Sequence, residues 1–246
     1  MVISRQYKFV FVELPLTATT AISKELREMY DGEPFLHKHA TYRRFLRTAS
    51  PEIKTYTPVS NIRIPLDQAV SMYFKYKNDK ELGDLMLTGK NKKQNGTSLR
   101  LYLSTRRHKT RAAYVLNNNA TFEQYFFKFH RWPYSDWSVL DHKKFEHLIR
   151  FEHLAEDYKK VFTTIGVPVR RDLPAANKTP GREKTFWSYY STDKAKRHAK
   201  FIFGPYMRYW GYEFPKEWNN ISEPWHAQFL FNLLNIPRKF YWKYLM

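Results

Sequence analysis

The hexapeptide Pro15-Leu16-Thr17-Ala18-Thr19-Thr20 follows the apolar run YKFVFVEL and leads into TAISKELREMY. A strand that enters a turn of small, hydroxylated residues and then a helix is a common phosphate cradle. The first backbone N–H groups of the helix have no intrahelical acceptor, and the helix dipole favours negative charge there. Thr17, Thr19 and Thr20 add hydroxyl donors, while Leu16 stands where such turns usually carry a lysine. The same pattern also fits a plain helix cap without a ligand. A second stretch, NIRIPLDQAVSMYFKYKND, ends a strand at Arg63 and places Ser71 eight residues on, inside the next helix. A forked guanidinium and a hydroxyl suit a second phosphate. An exposed arginine and a helix-packing serine are the competing reading.

The surrounding elements must position these groups. Residues 7–14 read as a buried strand, and 20–30 as an amphipathic helix with Ile22, Leu26 and Met29 on one face. A short element near Phe35–Leu36 precedes HKHATYRRFLRTAS, whose second half is helical. Residues 56–63 (YTPVSNIR) predict a strand with an irregular start at Pro58, and Pro65 opens a helix through LDQAVSMYFKYKN. Residues 80–140 read as less regular, with the basic loop GKNKKQNGTS and the aromatic segment FEQYFFKFHRWPYSDW. A strand at 147–152 runs into the helix LAEDYKKVFTTIG; a loop, RRDLPAANKTPGREK, then leads to a long helix from Thr192 to Gly211. Residues 215–246 form an aromatic, basic tail. Strands alternating with helices predict one α/β domain over residues 1–246, with a central, mainly parallel sheet flanked by helices.

Bulk composition narrows the partners. An apolar share of 43% is enough for a sizeable core, and the 18% aromatic share puts Tyr and Trp on partly wet surfaces as well. With no cysteine, disulfides and cysteinyl metal sites are excluded. The segment MVISRQYKFVFVEL is too short and strand-like for a signal peptide, and no apolar run reaches membrane-spanning length; a cytoplasmic location is the expectation. The N-x-S/T sequences at Asn95, Asn119, Asn177 and Asn220 then read as chance. The net charge of +19 attracts polyanions and favours an anionic ligand over a merely solvated basic surface.

Taken together, these segments resemble the sulfotransferases that use 3′-phosphoadenosine 5′-phosphosulfate. Their 5′-phosphosulfate loop reads approximately P-K-[ST]-[AG]-[GT]-T, which Pro15 to Thr20 match except at Leu16. Their 3′-phosphate element, typically R-N-P-x-x-R-x-x-S, is matched by Arg63, Pro65 and Ser71, with departures at Ile64 and Gln68. KHAT, Lys38 to Thr41, is similar to the lysine–histidine segment after the second strand. LIRFEHLAEDYKKVFTTIGVP and the stretch from NKTPGREK to GYEFP resemble later parts of the carbohydrate-type and bacterial branches. The resemblance covers residues 7–215 and rests on order and spacing.

It implies a P-loop-like, sulfotransferase-like domain that moves a sulfuryl group to a hydroxyl of a glycan, glycolipid or other small acceptor, without a metal. By resemblance Pro15, Leu16, Thr17, Ala18, Thr19 and Thr20 hold the 5′ group, and Arg63 and Ser71 the 3′-phosphate. By the same resemblance a basic loop containing Lys178, Arg182 and Lys184 would close over the nucleotide, with a solvated linker as the competing reading. His39 is the implied base, with His37 as runner-up and a surface histidine as the competing reading. The lysine missing at position 16 would steady the leaving group, so Lys38, Arg43 and Arg182 are the candidate replacements. His147 and His153, in FEHLIRFEHL, fit strand packing better than metal ligation. Trp132, Tyr134 and Trp137 suit either a sugar platform or a core. The tail WHAQFLFNLLNIPRKFYWKYLM is expected to dock on the domain, with subunit pairing and an anionic membrane surface as alternatives. Two other functions compete: a homologue that holds the nucleotide with impaired catalysis, and a basic nucleic-acid binder. The last is disfavoured, because no nucleic-acid motif occurs and the positive residues are scattered.

Overall fold

The computed structural model describes residues 1–78, 99–174, 181 and 184–246, without the side chains of 99–104. They group into two compact units, Met1–Ile64 with Ser135–Asn177 and Phe231–Met246, and Pro65–Tyr134 with Lys178–Leu230.

The first unit holds a five-stranded mixed sheet in the order β3-β1-β2-β4-β5. Its strands are β1 (Val2–Ser4), β2 (Phe9–Val12), β3 (Gly32–Pro34), β4 (Thr57–Ile62) and β5 (His147–Arg150). β1 runs antiparallel to both β2 and β3, whereas β2, β4 and β5 are parallel neighbours. The sheet is therefore parallel only on the side that carries the Pro15–Thr20 turn. Every residue of β2 is buried, as expected for a strand covered on both faces. Phe9 and Phe11 pack with Ile22 and Leu26 of α1 (Thr19–Met29), and with Tyr158 and Phe162 of α6 (Leu154–Thr164). Burying one such Phe side chain stabilises by roughly 2–3 kcal/mol.

Pro58 lies within β4, paired with Val10, and not at an irregular start. The preceding Thr57 N–H donates to Lys8 O on the β2 side at 2.9 Å. Alternation then turns the missing N–H of Pro58 toward β5, whose pairing begins only at Val59. No ladder hydrogen bond is lost there.

The second unit is helical. α3 (Pro65–Asn78) packs on α4 (Leu99–Asn117), α5 (Phe122–Phe129) and α7 (Asp193–Trp210). The region expected to be less regular is thus two helices in its described part. α4 was obscured because Arg and Lys crowd its apolar period, leaving Ala112 and Val115 as its buried residues outside the undescribed side chains. α5 carries a full capping box between Thr121 and Gln124. Much of the aromatic excess is consumed here: Phe126 meets Tyr190 edge-on at 5.1 Å and stacks on Phe203 at 5.8 Å. α7 begins and ends as its sequence predicts, with Thr192 accepting from Ala195 N–H and Gly211 closing it at φ 67°. The tail folds as helix α8 (His226–Tyr244), and the division between the units falls within it, after Leu230. Among the described residues no helix is long and apolar enough to cross a membrane.

Candidate functional site

Parallel pairing brings the carboxyl ends of β2, β4 and β5 to one edge of the first unit. Val12 is in register with Ser60, and Ile62 with Arg150. The segments that follow, Glu13–Thr20, Arg63–Ile64 and Phe151–Glu152, therefore leave the sheet together. Ligands of parallel α/β sheets bind at such an edge.

The turn after β2 is built from unusual backbone. φ is positive at Leu16 (66°) and Ala18 (65°) and negative at Thr17 between them. Alternation of this kind turns successive N–H groups inward as an anion-binding nest, and each left-handed non-glycine residue costs roughly 1–2 kcal/mol. Surrounding bonds hold the strained form. Thr17 Oγ1 donates to Leu14 O at 2.6 Å, Asn61 Nδ2 donates to Thr17 O, and Arg63 Nη1 donates to Leu16 O at 3.0 Å. Asn61 is fully buried, and its Oδ1 has no hydrogen-bond partner among the described residues. Ala18, the cap of α1, supplies no side-chain hydrogen bond to the helix start. The α1 N-terminus thus presents its N–H groups without a side-chain cap.

Cations and a base gather around this turn. Lys38 Nζ donates to Thr20 Oγ1 at 3.0 Å, although the two residues are on separate elements. Arg63 is buried, with its guanidinium 3.8 Å above the Phe151 ring. Ile64 N–H donates to Glu152 Oε1 at 2.7 Å, which ties the ends of β4 and β5 together. His39 Nδ1 lies 2.9 Å from Glu13 O. Since a carbonyl only accepts, Nδ1 carries the hydrogen and Nε2 keeps the lone pair. Burial holds the imidazole below its usual pKa; the Glu13 carbonyl and carboxylate oppose this, and Lys38 and the Met1 ammonium add to it. His39 is therefore neutral near pH 7.

Glu13 anchors the arrangement from beneath. Its buried carboxylate accepts from Ser23 Oγ at 2.6 Å and from the Met1 ammonium at 2.5 Å. That ammonium also donates to Lys38 O at 2.9 Å and His37 O at 3.2 Å, which holds the KHAT segment against the turn.

The residues expected to form the site fall into three groups. Pro15 to Thr20, Lys38, His39 and Arg63 are assembled in the first unit; His37 lies exposed beside them. Ser71 is buried in α3 of the second unit. Lys178 and Arg182 lie outside the described residues. Arg43, a candidate replacement cation, is ion-paired with Asp141 at 3.2 Å. Thr17 directs its hydroxyl at Leu14 O, and the hydroxyl oxygen of Thr20, another expected donor, accepts from Lys38. The aromatic trio divides: Trp137 is buried, Tyr134 donates to Gln68 at 3.1 Å, and Trp132 is exposed. His153 is exposed near Glu156, and among the described residues no group of three metal-ligating side chains occurs.

Asn61, Glu13, Phe151 and Glu152 were not singled out from sequence. Their signal was positional, each falling at a strand's carboxyl end. No protein-family model, curated protein or solved structure matches the chain.

Proposed function

We propose that the chain is a sulfotransferase that takes the sulfuryl group from 3′-phosphoadenosine 5′-phosphosulfate and delivers it to an acceptor hydroxyl. The observation that carries this reading is the contact between Lys38 and Thr20 at the uncapped start of α1. It sets a positive charge at a backbone anion cradle that has lost its usual lysine, next to a neutral histidine whose Nε2 is basic. A helix terminus alone would suit any anion; a cradle, a cation and a base together suit group transfer from an anionic leaving group.

In this reading the turn N–H groups and Lys38 receive the charge that develops on the departing 5′-phosphate oxygen. His39 Nε2 takes the acceptor proton as the new oxygen–sulfur bond forms and the bond from sulfur to the phosphate oxygen breaks. The nucleotide leaves as adenosine 3′,5′-bisphosphate. Arg63 braces the cradle through Leu16 O, and its place at the end of β4 also suits the 3′-phosphate. A glycan or lipid-linked acceptor agrees with the basic surface.

A second reading, a nucleotide-holding homologue with slow turnover, is favoured by Leu16 alone. Calorimetry with adenosine 3′,5′-bisphosphate against 5′-AMP, followed by a sulfate-transfer screen on glycans and glycolipids, tests both. Tighter binding of the bisphosphate with transfer supports the enzyme, and tighter binding without transfer supports the second reading. Equal weak binding of both nucleotides removes the family assignment.

A further inference from the structure

The part of α8 that belongs to the first unit has two unlike faces. Phe231, Asn235 and Trp242 are buried, and Arg47 of α2 (Tyr42–Thr48) donates to Lys243 O at 3.2 Å. The opposite side exposes Leu233, Ile236, Phe240 and Tyr244, at spacings of three and four residues, so they form one continuous stripe. Ile236 is 68% exposed and Phe240 61%, far more than a helix packed on both sides would leave open. Lys239 and Lys243 are exposed along one margin of the stripe. No Asp or Glu occurs after Glu223.

We propose that this face of α8 is a docking surface for an anionic phospholipid bilayer. Branched and aromatic apolar side chains in a stripe, bordered by lysines on an acid-free segment, match the pattern of helices that lie in the headgroup plane. The helix lies on the bilayer and does not cross it, in keeping with its hydropathy. Charge decides among the occupants. A second copy of this chain would bring together two molecules of net charge +19 and two sets of Lys239 and Lys243, whereas an anionic leaflet attracts both the helix margin and the whole molecule. A nucleic acid would satisfy the charge but leave the apolar stripe in water. The inference does not depend on the sulfuryl-transfer reading.

Co-sedimentation of the full chain with vesicles tests it. Vesicles of phosphatidylcholine with phosphatidylserine are expected to bind the protein, those of phosphatidylcholine alone much less, and added salt should weaken the binding. Ile236→Ser with Phe240→Ser should weaken it at least about tenfold, from the apolar area withdrawn. Lys239→Ala and Lys243→Ala should each weaken it about fivefold. All four side chains are exposed, so circular dichroism and melting should stay unchanged. The proposal is overturned by an absence of vesicle binding, by equal binding to both vesicle types, or by anionic binding that survives the serine variant. A dimer seen by light scattering that the serine variant dissociates would also overturn it.

Discussion

Arg63, just past the end of β4, donates at 3.0 Å to the carbonyl of Leu16 in the turn after β2, while its face rests on Phe151. Arg63 is thus a brace for the Pro15–Thr20 turn as well as a candidate phosphate ligand. Arg63→Ala should weaken adenosine 3′,5′-bisphosphate at least about tenfold, since hydrogen bonds from charged groups contribute about 1.5–3 kcal/mol. The brace role predicts that 5′-AMP weakens too. Calorimetry with both nucleotides reads this directly; a loss confined to the bisphosphate would mean that the turn stands without Arg63.

In the proposed function Lys38 takes the place of the lysine that position 16 lacks, and its contact with Thr20 is the observation behind that role. Lys38→Ala is expected to lower single-turnover sulfate transfer about 10²-fold at saturating donor, the scale of one preorganised donor. Leu16→Lys in the wild type should give little gain, since it crowds like charges. In the Lys38→Ala background the same change should recover much of the loss. A large gain in the wild-type background would show that no cation had taken over.

His39→Ala should reduce turnover by about 10² or more with nucleotide affinity nearly intact, and His37→Ala should not. The pH profile carries a sharper signature. Burial holds the His39 pKa below its ordinary value, so its basic form persists to lower pH. The acid limb of kcat/KM, which reports the free enzyme, should therefore fall below about pH 6.5, the unperturbed histidine value. A limb at or above that value would place the base elsewhere.

His142 gives the first unit an acid sensitivity unrelated to the site. Its ring is buried between Trp137 at 5.2 Å and Phe145 at 4.8 Å, and neither nitrogen has a hydrogen-bond partner among the described residues. Burial pushes its pKa down to about 3. Between that value and about 6.5 the unfolded chain takes up the proton first, so its contribution is complete above pH ~6.5 and lost as pH falls. His142→Phe should flatten this dependence, by up to about 1.4 kcal/mol per pH unit, in denaturant titrations at pH ~7 and ~5. An unchanged slope would refute the assignment.

Local pattern revealed the elements with a clean period. β2, β4, α1, α3 and α7 lie within a residue or three of their expected limits, because an apolar run, a proline at a first turn or a Thr–Gly pair marks each. β1 escaped notice because three residues carry too little pattern and its pairing with β2 and β3 is non-local. α8 escaped because apolar residues occupy its exposed side as well, which erases the contrast that signals a helix. In the site, the threonine turn and KHAT were readable from residue types. Asn61, Phe151 and Glu152 were not, since only the register of β2, β4 and β5 brings them beside the turn. The left-handed φ at Leu16 and Ala18 was hidden for another reason: neither residue type favours it.

Because the turn after β2 is made of alternating backbone conformation, the anion recognition proposed for it would rest on main-chain N–H groups more than on the side chains that compose it. Alanine replacement at Leu16 or Thr19 would leave every N–H in place, whereas at Thr17 and Thr20 it would remove the bonds to Leu14 O and from Lys38. What the turn cannot survive is a change in chain geometry: a proline that deletes an N–H, or a β-branched residue at position 16 or 18 that resists positive φ. The turn's defining feature is a shape of the main chain, and the residue letters record it only loosely.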